Sequence, residues 1–286
     1  MMNNKELFYY FIQEREAVRI RREEKHLPAP WTDDIILQSV RFTNIDREKD
    51  KTTIYIRNRV KPNRWIYANT ALCRIINRPE LLDKLELISD SNYRDYCDYL
   101  KDKLEYFNNN FGGFLSRVYI INPVKGENQV CNVAKMIQSI IDNNSSLIYF
   151  NTCVEVFDYL IDHARGIGSF MATQIIVDIM NTPNTKLYND PNKYSYTSMG
   201  PGSQRGISIY FDKNISGSKF MGCLKQAHEE TIHRLELSGD KYNLIPVLNY
   251  HNLQNCFCEY QKYFRNIYTE KRSRNRKLYN NGDYTI

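Results

Sequence analysis

Apolar residues recur at spacings of three and four along most of the chain, which predicts a mainly α-helical protein. Residues 5–25 form the first such stretch, with Leu7, Phe11 and Val18 on one stripe and Arg15, Arg19 and Arg22 on a different face. Glu14 shares the apolar stripe and is therefore expected in a partly buried ion pair. Pro28-Ala29-Pro30 ends this helix, because proline lacks the amide that a helix interior needs. Thr32 then reads as an N-cap, and Asp33 and Asp34 suit the positive end of the next helix dipole. The second helix is predicted to run to about residue 50, turning Ile36, Val40 and Ile45 inward. Further helices are expected near 65–77, 79–88, 93–108, 128–143, 151–163, 169–181, 219–237 and 246–264. Phe114 to Ile121, between Gly113 and Pro123, reads instead as a strand or extended segment. With no internal repeat and no long linker, residues 1–268 read as a single helical domain. Residues 269–286 form a basic tail carrying Lys271, Arg272, Arg274, Arg276 and Lys277.

Composition narrows the function only a little. A chain of 286 residues with 42% hydrophobic and 25% charged residues holds one large core or two modest ones and is not disordered. A net charge of +6 fits nucleic acid, an acidic surface or neither. The 22 Tyr and 13 Phe beside it suit proteins that combine stacking platforms with cationic grooves. An AT-rich genome would give the same richness in Asn, Ile, Lys and Tyr. Seven cysteines, at 73, 97, 131, 153, 223, 256 and 258, form no paired framework and are expected as free thiols in a reducing compartment. Cys256 and Cys258 lack a second pair at metal-site spacing, so neither zinc nor an iron–sulfur cluster is expected, and no other cofactor. The polar, charged first residues lead us to expect no signal peptide, and no apolar run of about 18 residues occurs in the sequence. The expected location is the cytoplasm, without membrane contact.

Four segments carry candidate chemistry. Around Asp162-His163-Ala164-Arg165-Gly166-Ile167-Gly168-Ser169, two apolar helices meet at a Gly-Ile-Gly turn, the pattern of a helix–hairpin–helix near 151–180. Its glycines would permit positive φ and let a DNA phosphate reach backbone amides. A tight turn between packed helices would look the same. Gly200-Pro201-Gly202-Ser203-Gln204-Arg205-Gly206 suggests a rigid turn exposing amides, with a helix opening at Ser203. Such a nest suits a phosphate, onto which Arg205 could fork; a plain loop is the alternative. It is not a nucleotide P-loop, because G-x-x-x-x-G-K-[ST] is absent. In the N-terminal region Arg41, Asn44 and Glu48 fall on one helical face, with Arg47 close by. Either a nucleic-acid surface or a solvated salt-bridge network would use that pattern. Last, Asn252, Glu259 and Lys262 stand in an otherwise apolar and aromatic helix. A carboxylate held by lysine in such a setting is an acid or base, or a structural lock.

In this order, these segments resemble the alpha-glutamyl/putrescinyl thymine pyrophosphorylase family, the amino acid:DNA transferases. The resemblance rests on Glu14 to Arg22, Pro30-Trp31-Thr32-Asp33-Asp34, Arg41 to Ile45, Gly166 to Asp178, Gly200 to Gly206 and Cys258 to Tyr263. Its relatives include the helical domain attached to hydroxymethyluracil DNA kinases and, more distantly, helix–hairpin–helix DNA glycosylases. The resemblance implies a phage enzyme with a glycosylase-like helical domain acting on flipped bases of double-stranded DNA. It implies that phosphate or pyrophosphate on a 5-methylene thymine is replaced by an amino acid or polyamine. A separate DNA base kinase would supply the substrate. On that basis Glu259 is nominated as base with Asp178 second, and Arg205 with Gly200, Gly202 and Ser203 to receive the leaving phosphate. Gly166, Gly168, Ser169, Arg41, Arg47 and Trp31 would bind DNA, with Trp31 and Phe42 as stacking partners. The chain departs from the family at Tyr260-Gln261, where an acidic pair is usual. Glycosylases also place an aspartate about 20 residues beyond the hairpin; here Tyr188 falls near that spacing and Asp190 close by. A glycosylase and a non-catalytic DNA-binding module therefore stand as alternatives.

Overall fold

The computed structural model describes residues 2–116, 121 and 126–268. Among them the secondary structure is helical throughout, with no strand. Contacts divide the chain into two compact units where the sequence reads as one domain: residues to Asp50 together with those from Met199 on, and Lys51–Ser198. The physical reason is that the apolar residues gather into two separate cores, one per unit.

In the first unit, α1 (Asn4–Arg19) is started by a reciprocal cap between Asn3 and Glu6 and continues through a π-helical turn over Ile20–Glu24. Its buried face carries Phe8, Phe11, Ile12, Arg15 and Arg19, so two of the arginines expected on another face point inward. Arg19 is held there by Glu16 and Glu24 at 2.6 and 2.8 Å. Glu14 does pair, with Arg21 at 2.8 Å. The predicted second helix is cut short: α2 spans only Ile35–Ser39 and is capped by Asp34 rather than Thr32. Val40 is extended, and Asp46 caps a separate 3-10 turn over Arg47–Lys49. Arg41, Asn44 and Glu48 therefore share no helical face. The unit is completed by α11 (Pro201–Tyr210), α12 (Gly217–Ser238) and α13 (Tyr250–Tyr268). Its core is aromatic, with Phe8 stacked on Phe257 at 4.5 Å and edge-on to Tyr210 and Tyr260.

The second unit packs α4 (Ile66–Ile76) at its centre, where every residue is buried. Around it stand α3 (Lys51–Arg59), α5 (Pro79–Leu82), α6 (Tyr96–Phe111), α7 (Gln129–Asp142), α8 (Asn144–Leu147), α9 (Cys153–His163) and α10 (Ser169–Met180). Apolar periodicity does not reveal α3, because only Thr53 and Ile56 of its residues are buried. Phe114 to Ser116 form no strand, and residues 117–120 of that expected segment lie outside the described residues, as does the basic tail.

Candidate functional site

The glycine-rich segment 200–206 is not a nest. Pro201 opens α11, and the glycines make room for α13. A β-carbon on Gly206 would lie 2.0 Å from the Phe257 carbonyl oxygen, and one on Gly202 2.5 Å from Cys258 Sγ. Ser203 is fully buried. Its hydroxyl donates to the Gly200 carbonyl and accepts from the Gly200 amide and the Gln254 amide side chain, at 2.9 to 3.0 Å. Gly202 and Ser203 therefore serve helix packing. Arg205, one residue before Gly206, is exposed on α11. Its charge reaches Cys258 on α13 and pulls against the burial that raises that thiol's pKa.

On α13 the ion pair read from sequence is present. Glu259 is 8% exposed, and Lys262 Nζ stands 2.5 Å from its Oε2. Lys262 also donates to the Arg41 carbonyl at 2.8 Å and sits 4.6 Å over the Phe42 ring. Phe42 in turn packs on Phe11 and Tyr263. Arg41 itself is exposed and reaches this group through its backbone. Arg15, missed as a participant, lies beneath: its Nε and Nη2 donate to the Thr43 carbonyl and hydroxyl at 2.6 and 3.2 Å, and its Nη1 contacts Cys256 Sγ at 3.7 Å. Burial pushes the Cys256 thiol up to about 11, with Arg15 opposing. Helix periodicity alone could have placed Arg15 four residues beyond Phe11 on the inner face. Chemically the arrangement offers a mostly buried carboxylate beside a fixed ammonium, with the exposed Arg205 on the neighbouring helix.

Asp178 is elsewhere. It is 3% exposed in the second unit and forked by Arg74, whose Nε and Nη2 donate to its two oxygens at 2.7 and 2.6 Å. With both oxygens engaged by a buried guanidinium, this carboxylate has the geometry of a structural lock, which speaks against its nomination as second base. Asp190 is likewise used in place: its oxygens accept from the Cys153 and Asn192 amides, both at 2.8 Å.

The hairpin joins α9 to α10. Gly166 has φ +71°, the left-handed region, with Met136 2.9 Å from where a β-carbon would stand. Gly168 is the N-cap of α10 at φ −85° and ψ 172°, so the expected positive φ holds for Gly166 alone. No side chain caps α10, whereas α9 carries a reciprocal cap between Thr152 and Glu155. Ser169 and Phe170 are exposed at the start of α10. Arg165 is tied to Glu127 at 2.6 Å.

Trp31 lies in the first unit, its indole nitrogen donating to the Leu27 carbonyl at 2.7 Å and the Arg22 guanidinium 5.8 Å from its ring. Arg47 opens the 3-10 turn after Asp46. Sequence reasoning passed over a cleft in the second unit lined by Arg64, Trp65, Tyr93 and Arg94. Two arginine–aromatic dipeptides were the available signal. Among the described residues no cluster of three or more His, Cys, Asp or Glu could hold a metal, and no helix is long and apolar enough to cross a membrane.

The family described as 5-hmdU DNA kinase, helical domain, matches residues 3–273. The 5-hmdU DNA kinase of Bacillus phage SP10 is 24% identical over 291 residues, covering 93% of this chain and 46% of the relative. The chain thus spans about half the length of that curated relative. No solved structure matches it. Matched along nearly its whole length, the chain belongs to the family of 5-hmdU DNA kinase helical domains.

Proposed function

We propose that the chain acts on double-stranded DNA in thymine hypermodification, displacing phosphate or pyrophosphate from a 5-phosphomethyl-type deoxyuridine with an amine or amino acid. The observation that carries this reading is the Glu259–Lys262 pair, a mostly buried carboxylate beside an ammonium fixed by the Arg41 carbonyl and the Phe42 ring. In the reaction the amine nitrogen bonds to the exocyclic methylene while its C–O bond breaks. The phosphate departs with the bonding electrons, and Glu259 takes the proton that the amine sheds. Lys262 and Arg205 supply positive charge for the departing anion. The duplex buries the base, so the base must leave the stack. A separate kinase activity phosphorylates it, since this chain has no P-loop sequence. The uncapped start of α10 beyond Gly166 supports the hairpin as a sequence-independent phosphate contact.

A second reading is a non-catalytic module that holds DNA for a kinase. It is favoured by the match to a kinase's helical domain and by the 46% coverage of the relative. Base excision loses support, because Asp178 and Asp190 both spend their oxygens on structural bonds.

The deciding experiment incubates the protein with phosphorylated hydroxymethyluracil DNA and an amino acid pool, then digests to nucleosides for mass spectrometry. An aminated methylene nucleoside is expected. Bound but unaltered DNA would favour the module, and released free base the glycosylase.

A further inference from the structure

The second unit contains a cleft of about 380 Å³, within the range of about 300–1,000 Å³ common to small-ligand sites. One wall is aromatic: Trp65 and Tyr93 stack at 4.9 Å with their planes 28° apart. Each ring has its own guanidinium, Arg64 at 5.0 Å from Trp65 and Arg94 at 5.6 Å from Tyr93. The wall is built rather than loose. Trp65 donates through its indole nitrogen to Asp90 at 2.9 Å. The segment leading to Tyr93 is pinned to α4 by Asn69, which exchanges two hydrogen bonds with the backbone of Ile88 at 2.8 and 3.0 Å.

The same cleft is lined by Asn144. This side chain is 1% exposed, yet among the described residues neither its Oδ1 nor its Nδ2 has a hydrogen-bond partner. A buried carboxamide left without protein partners costs stability and calls for a bound group that completes it. A carboxamide offers one donor beside one acceptor. That edge matches the adjacent carbonyl and N–H of a uracil-type base, or the donor and acceptor edge of another base.

We infer that this cleft receives a single unstacked nucleotide of DNA, its base against the Tyr93–Trp65 wall and facing Asn144, its phosphates near Arg64 and Arg94. Three features converge on that ligand class: a π-face, paired guanidiniums and an unsatisfied amide edge. A plain apolar ligand would leave Asn144 unsatisfied, and a free anion would leave the aromatic wall without a purpose. The inference rests on the second reading above, a module that holds DNA, and it assigns the extruded base to this cleft of the second unit instead of to Trp31 or Phe42 of the first.

The test uses the whole chain and two duplexes, one carrying an unpaired 5-hydroxymethyluracil and one an abasic site at the same position. Wild type is expected to bind the first about tenfold more tightly, on the scale of one base–aromatic stack. Tyr93→Ala and Asn144→Leu should each erase that difference while leaving affinity for the abasic duplex unchanged. Asn144→Leu should melt no lower than wild type, because it removes an unsatisfied buried amide. A third duplex with 5-iodouracil at that position, irradiated and mapped by mass spectrometry, should cross-link to Tyr93 or Trp65. Unaltered base preference in both variants, cross-linking to Trp31 or Phe42, or a marked loss of stability in Asn144→Leu would overturn the cleft and leave the DNA-holding reading standing. Failure of wild type to bind any duplex would overturn both.

Discussion

Gly206 of α11 lies so close to Phe257 of α13 that a β-carbon on it would sit 2.0 Å from the Phe257 carbonyl oxygen. Backbone cannot yield as a side chain does, so the whole helix crossing depends on the missing methyl. Alanine would add about 1 kcal/mol of helix propensity, but overpacking against a rigid neighbour costs about 1–3 kcal/mol or more. Gly206→Ala should therefore destabilise the protein clearly in chemical denaturation. Gly202→Ala meets the Cys258 thiol instead and should be milder, with recovery in the Gly202→Ala, Cys258→Ala double variant. A Gly206→Ala variant as stable as wild type would mean that the two helices cross further apart.

Arg74 and Asp178 give the second prediction. Their side chains are 2% and 3% exposed, so removing one charge strands the other. Asp178→Asn should cost about 3–5 kcal/mol in unfolding free energy, the scale for breaking a buried pair from one side. Replacing both, as Arg74→Met with Asp178→Leu, should recover much of the loss. If Asp178→Asn abolished turnover in a protein of unchanged stability, Asp178 would be a base after all.

Thiol reactivity follows burial, because the thiolate is the species that reacts. Burial pushes Cys256 up to about 11 and Cys73 and Cys153 up to about 12. A raised value keeps the thiol protonated until the pH approaches it, so all three should resist iodoacetamide in folded protein at pH 8. Cys131 and Cys223, which are less buried, should be alkylated first. Peptide mapping after a timed pulse checks this, and Cys256 labelling as fast as Cys131 would contradict it.

Long apolar helices were legible because their cores impose the period directly: α7, α9, α10 and α13 fall within a few residues of the expected spans. The misreadings have physical causes. Arg15 and Arg19 look solvent-facing by residue type, yet hydrogen bonds to Thr43 and Glu16 satisfy them inside. The Gly200–Gly206 segment resembles a loop by composition, whereas its glycines answer to Phe257 and Cys258, far along the chain. Asp178 looks available from sequence because Arg74, its partner, is distant along the chain. The Glu259–Lys262 pair was readable because both partners share one helix turn. Local pairs can be read from spacing, while long-range partners cannot.

The hairpin separates conformation from contact. Gly166 is left-handed and faces Met136, so Gly166→Ala should lower stability as well as DNA affinity. Gly168 is extended, and a β-carbon there meets nothing within 4 Å. Gly168→Val should therefore fold normally and weaken DNA binding equally for all sequences, by crowding the phosphate. Unchanged binding in that variant would leave the hairpin a plain turn.

The functional assignment turns on Glu259 and Arg205, which answer to different parts of the reaction. Glu259→Gln keeps the shape but cannot take a proton, and it leaves Lys262 without its counter-charge. Turnover should fall roughly 100-fold or more, the lower end of what general base catalysis contributes. Lys262→Met in the same background separates lost chemistry from any effect of the stranded charge. Arg205 is exposed, so its replacements should leave stability alone. Arg205→Lys keeps charge but loses the bidentate fork, and Arg205→Ala loses both. Graded loss is expected, with alanine down by roughly 100-fold, the scale of one preorganised donor to a developing anion. DNA affinity should change far less in each variant, because many other phosphate contacts remain. The measurement compares single-turnover rates on phosphorylated modified DNA at saturating protein. Wild-type rates in both Glu259→Gln and Arg205→Ala would remove this face of α13 and α11 from the chemistry. The DNA-holding module would then be the better reading.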